Sequence, residues 1–131
     1  MGDARCRNGP RVLALGLDPA FADYSTMPGL TPALVGAYID SQLERLREAG
    51  YEVQRCLVDS GDTAEAVTAA HLDSGNYDCV MIGAALRDPA RLLLFEKLIN
   101  LIHAKALSAK VCFNTAPTDT VEAVQRWVRP G

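Results

Sequence analysis

The chain is short of histidine, of clustered cysteine, of long apolar runs and of net charge, and each shortage removes a class of function. Two histidines stand in 131 residues. The four cysteines, at positions 6, 56, 79 and 112, form no C-x-x-C pair. Neither a disulfide framework nor a metal site is expected without clustered spacing. Three of these cysteines fall inside apolar segments, where a free thiol behaves as a small buried hydrophobe, and a reducing cytoplasm is the expected compartment. No segment approaches the ~20 apolar residues of a membrane span. Met1 to Pro10 is charged and lacks the apolar stretch of a secretory signal, so residues 1–10 are expected to form a disordered arm. The formal net charge is −3 with both signs interspersed, which leaves no footprint for nucleic acid; Arg5, Arg7 and Arg11 are too few to make one.

What the chain does have is a hydrophobic content of 49% with 22% charged residues, enough for a real core in one domain, expected over 11–131. Four short apolar runs alternate with helical patterns. Val12 to Leu17 and Cys79 to Ile82 are continuous, as in strands covered on both faces. Tyr51 to Val58 alternates with Glu52 and Gln54, which suits a sheet edge. Lys110 to Phe113 is short and ends at Asn114.

Thr31 and Pro32 open a first helix with an apolar stripe of Val35, Tyr38, Ile39, Leu43 and Leu46, and Gly50 stops it. Asp62 and Glu65 resemble a capping box for the second helix. Asp88-Pro89 opens the third, and Pro117-Thr118-Asp119 opens the last, which carries Val121, Val124, Trp127 and Val128. Alternation with short joints predicts an α/β fold: a three-layer, doubly wound parallel sheet, flavodoxin-like, with four strands in the order 2-1-3-4.

Ligands in such sheets bind at the carboxyl ends of the strands. Those ends deliver Asp18, Asp59-Ser60-Gly61, Gly83 to Arg87, and Asn114-Thr115. One joint is long: thirteen residues separate the first run from the first helix, Asp18 to Leu30, where ~2–6 are usual. Gly16-Leu17-Asp18-Pro19-Ala20-Phe21 is no G-x-G-x-x-G, there is no Walker A loop, and Asp59 and Asp62 disfavour an added anion beside their helix start.

The layout over residues 11–128 resembles response-regulator receiver domains, which implies an acidic pair after the first strand and a phospho-accepting Asp after the third. Gly16 and Leu17 stand at the first place, with Asp18 one step late, and Gly83 stands at the second; Thr115 alone is compatible with the family's switch residue. The layout is also similar to cobalamin-binding domains, with Gly50-Tyr51-Glu52-Val53 and Ala64 to Ala70 in their style. Their Asp-x-His-x-x-Gly begins at Asp18 and fails at Ala20, so no cobalt-ligating histidine is supplied and no cofactor is assigned. His71 and His103 lie deep in their helices, roughly 12 and 21 Å below the rim at ~1.5 Å per residue. Neither meets Asp18, Ser25 or Ser60 as a Ser-His-Asp set requires.

The expected ligand contacts are Asp18, Tyr24, Ser25, Arg87, Asn114 and Thr115, around a crevice between Asp18–Leu30 and Ala84–Arg87. Arg87 there either clamps a carboxylate or pairs with Asp18 or Asp88. The expected function is a non-catalytic domain binding a small regulator or a protein partner. The alternative is a small enzyme or cofactor-binding domain using Asp18, Asp59 or Arg87 at the same rim. A homodimer is expected through the third and fourth helices or the open fourth strand. With Leu92 at zero and ~100° per residue, Leu94, Phe95, Leu98, Ile99, Leu101 and Ile102 span roughly 180° to 340°, wider than one sheet contact needs. The second apolar neighbour is either the last helix, through Trp127 and Val128, or a second copy. Val111, Cys112 and Phe113 form an apolar edge guarded by Lys110 alone.

Overall fold

In the computed structural model, which describes residues 9–130, the four apolar runs are strands: β1 Arg11–Leu17, β2 Glu52–Val58, β3 Cys79–Ile82 and β4 Lys110–Phe113. All three pairings are parallel and the order is β2-β1-β3-β4. Leu15 sits at the centre of the register, opposite Cys56 on β2 and Ile82 on β3. The central strands are buried nearly throughout, whereas Gln54 and Arg55 on β2 and Lys110 and Phe113 on β4 are exposed, as sheet edges require. Residues 1–8 of the expected arm lie outside the described residues. Pro10, directly before β1, is tied to β2, its carbonyl accepting the Glu52 amide at 2.9 Å.

The helices are α1 Pro32–Glu48, α2 Ala64–Asp73, α3 Leu92–Lys105 and α4 Thr120–Gln125. Thr31 Oγ1 accepts the Leu34 amide at 3.2 Å, with Pro32 in the first turn. Gly50 closes the far end at a φ of 105°, where a side chain would be strained. The start of α2 differs from the Asp62–Glu65 expectation. Asp59 accepts the Gly61 amide at 3.0 Å together with the Thr63 amide and hydroxyl, so the turn is closed from the strand end.

Helices cover both faces of the sheet. On one face α2 and α3 pack over Leu13, Leu15, Leu17, Cys56, Val58, Val80 and Ile82. On the other α1 and α4 pack over Val12, Ala14, Cys79, Met81 and Cys112. This arrangement corrects the expectation for α3: its second apolar neighbour within the chain is α2, beside it on the same face, and not the last helix. The pair is laced by Lys105 Nζ to Asp73 at 3.0 Å. α4 is short, and Trp127 lies beyond its end, 55% exposed. Among the described residues, no helix is long and apolar enough to cross a membrane.

Candidate functional site: an apolar cavity under α1

Alternate residues of β1 point to opposite faces. Those under α2 and α3 are Leu13, Leu15 and Leu17; those under α1 are Val12, Ala14 and Gly16, which shrink toward the carboxyl end. β3 continues into the same pattern, with Met81 followed by Gly83. The small residues leave space, and a cavity of about 210 Å³ occupies it. Its floor is Ala14, Gly16, Met81 and Gly83, and its roof is Val35, Tyr38, Ile39, Gln42 and Leu43 of α1. Pro19, Ala22, Ala84 and Ala85 close the rim, and Asn114 and Thr120 form the wall toward β4. A Cβ on Gly16 would meet Leu57 Cδ2 at 3.5 Å and one on Gly83 nothing nearer than 3.7 Å, so neither glycine is there to avoid a clash.

The cavity also explains why the expected α1 stripe is only half buried. Leu43 and Leu46 are covered, while Val35 and Ile39 are partly exposed and Tyr38 is exposed. The upper turns of the stripe face the cavity, not a packed core. Tyr38 and Arg55 are exposed members of its lining and mark where it reaches solvent.

Of the six residues expected to contact a ligand, Asn114 alone lines this cavity. Asp18 accepts the Ala20 amide at 3.0 Å, and Tyr24 Oη donates to the Pro19 carbonyl at 2.6 Å. Ser25 is exposed and its amide is held by Asp23 at 2.9 Å. The long loop thus spends much of its polar chemistry on itself. Its backbone is tied to the next rim loop by Arg91, which donates to the carbonyls of Phe21 at 3.3 Å and Ala85 at 3.4 Å.

Arg87 pairs with neither Asp18 nor Asp88. It donates to both the carbonyl and Oδ1 of Asn114, the latter at 2.8 Å, and stacks 5.0 Å over the Phe113 ring. Partial burial lowers its pKa, with Asp119 opposing. Asn114 passes the network on, donating from Nδ2 to Thr120 Oγ1 at 3.4 Å. Thr115 bonds through both its amide and its hydroxyl to Asp119, which holds the turn into α4. Arg87 and Asn114 are therefore brought together, and Thr115 stands beside them bonded to Asp119.

Among the described residues, the thiols of Cys56, Cys79 and Cys112 stay in the core. Cys79 and Cys112 place their sulfurs 3.4 Å apart under α4, and that contact together with burial pushes Cys79 up. Burial pushes Cys56 up to about 11. Among the described residues no group of three or more His, Cys, Asp or Glu side chains is placed to hold a metal ion.

Sequence reasoning missed Ala14, Gly16, Gly83 and Gln42. The signal was the fall in side-chain size, Val12 to Ala14 to Gly16, at the two-residue period of one strand face. No protein-family model matches the chain, and no curated protein is significantly similar to it. The four-strand parallel sheet with helices on both faces has a flavodoxin-like layout.

Proposed function

We propose that this is a non-catalytic flavodoxin-like domain that binds a small, largely apolar molecule in the cavity between α1 and the carboxyl half of the sheet. The observation that carries this is the cavity itself, about 210 Å³ with mostly apolar and small residues around it. An apolar cavity of roughly 150 Å³ suffices for benzene, so a ring with a few further atoms fits. Its polar wall residues are held by neighbours, Asn114 by Arg87 and Arg55 by Asp40 at 2.7 Å. Such groups orient a ligand. A library of small monocyclic compounds tested by thermal shift should contain stabilisers, worth about 2.7 kcal/mol at a hundredfold excess over Kd. Gly16→Leu should fill the space and abolish that shift without lowering the melting temperature of the free protein. The proposal fails if no compound stabilises the chain, or if stabilisation survives in Gly16→Leu.

The domain is further proposed to work as a homodimer in a reducing cytoplasm. With α2 covering much of the apolar arc of α3, the support is narrower than the arc alone. It consists of Leu92 and Leu93, 60% and 71% exposed at the start of α3; at the β4 edge the Phe113 carbonyl is already held by Arg126 at 2.7 Å. Light scattering at micromolar concentration should give twice the monomer mass, and Leu93→Glu should halve it. A monomer mass for the unaltered chain overturns the dimer.

A further inference from the structure

We propose that the cavity selects, among small apolar molecules, those that end in a hydrogen-bond acceptor, a carbonyl or a carboxylate; the inference rests on the ligand-binding function proposed above. Two amide side chains line the cavity, Gln42 from α1 and Asn114 from the end of β4. Each is held by an arginine. Arg45 Nη1 donates to Gln42 Oε1 at 3.3 Å, and Arg87 Nη2 donates to Asn114 Oδ1 at 2.8 Å. A guanidinium has donors and no acceptor, so only the oxygen of an amide can face it. Turning either amide over would set N–H against N–H.

The orientation of both groups is thereby fixed by chemistry, and what each has left to offer is its NH2. Asn114 directs Nδ2 toward Thr120 Oγ1 at 3.4 Å, which uses one of its two N–H bonds. The two pairs belong to one corner of the fold. Arg45 also reaches the Thr118 carbonyl at 3.4 Å, two residues before Thr120. The corner lies where α1 meets the turn between β4 and α4, whereas Arg55 of the Arg55–Asp40 pair stands on β2 at the opposite edge of the sheet. A ligand acceptor placed there meets amide N–H groups, each polarised by a positive charge on its oxygen. An ammonium head would meet the same donors and be rejected. Apolar floor and roof residues then take the body of the molecule.

Four compounds of similar size separate the possibilities: ethylbenzene, acetophenone, benzoate and benzylamine. Binding to the full chain is followed by calorimetry and by the methyl signals of Ala14, Leu43 and Met81. Acetophenone and benzoate should bind about tenfold more tightly than ethylbenzene, and benzylamine most weakly. Gln42→Glu and Asn114→Asp each keep an oxygen for the arginine, so the corner stays assembled while a donor is lost. Each should erase most of the advantage of acetophenone over ethylbenzene. Equal binding of ethylbenzene and acetophenone to the unaltered chain overturns acceptor selection and leaves the cavity a ligand site. A preference for benzylamine, or an acetophenone advantage unchanged in both variants, also overturns it. If none of the four moves the cavity methyl signals, the ligand-binding function falls with it.

Discussion

The two faces of the same sheet are built to different standards. Under α2 and α3, β1 contributes Leu13, Leu15 and Leu17, and this face packs with Val80, Ile82, Leu98 and Ile102 into a dense core. Under α1 and α4, the intervening residues are Val12, Ala14 and Gly16, and packing is complete only at the amino-terminal half, around Leu46, Tyr51 and Cys79. One strand therefore serves a stabilising face and a hollow face at once. The hollow is not a cost of connectivity, because the register with β2 and β3 runs through β1 unbroken. It is set by side-chain size at alternate positions, and so it can be filled or extended without touching the backbone.

The largest effect should come from carving into the dense face. Leu13 is fully buried, and Leu13→Ala removes its contacts from a core of buried aliphatic side chains. A loss of about 2–5 kcal/mol in urea unfolding is expected. A loss below about 1 kcal/mol would mean that this face is as loosely packed as the other.

The next test adds atoms and compares the faces directly. Ala64 on α2 is fully buried on the dense face, so Ala64→Leu should overpack it and cost about 1–3 kcal/mol. Gly16→Ala adds a methyl on the hollow face, 3.5 Å from Leu57. It should be neutral or stabilising by about 0.5–1 kcal/mol, since it also restricts the unfolded chain. A loss in Ala64→Leu with none in Gly16→Ala sustains the contrast; equal losses would erase it.

The strands, their order and the edge positions were legible in the sequence because periodicity and polarity act locally. Cys79 to Ile82 has no polar residue to tolerate an edge, and Glu52 and Gln54 do. The cavity was less legible, because a hollow depends on what faces Ala14 and Gly16 from α1, some twenty residues away in sequence. Gly16 stands out in the sequence only as a residue that fails the nucleotide-binding and receiver patterns. Gln42 falls between Ile39 and Leu43 on the stripe and looks like an interruption until Arg45 and the cavity are both in place. Arg87 was placed at the right rim with the wrong partner. Asp88 is its neighbour in sequence and Asp18 follows the adjacent strand, but each accepts an amide of its own turn, Ala90 and Ala20. Asn114, brought alongside by the pairing of β3 with β4, was free to receive it.

The smallest effect concerns the two carboxylates that start a helix on each face. Asp59 closes the turn into α2, and Asp119 the turn into α4. The Gly61 amide holds the Asp59 carboxyl below the usual range, and the Thr115 side chain does the same for Asp119. A carboxyl whose folded pKa is depressed adds stability above its unfolded pKa of about 3.9. That contribution is lost as pH falls from there through the lower folded value. Both groups lie at the surface on partly exposed residues, so the change is small and screened by salt. The melting temperature should therefore decline as pH drops below about 4, and Asp59→Asn or Asp119→Asn should each flatten part of that decline. The faces then separate in where the loss is felt. Asp119 holds the amides of Thr115 and Ala116, directly after the Asn114 that lines the cavity. Acid, or Asp119→Asn, should shift the backbone signals of Asn114 and Thr120, whereas Asp59→Asn should leave them in place. If both variants move the cavity signals equally, the hollow face has no local support of its own, and the contrast between the faces is one of packing alone.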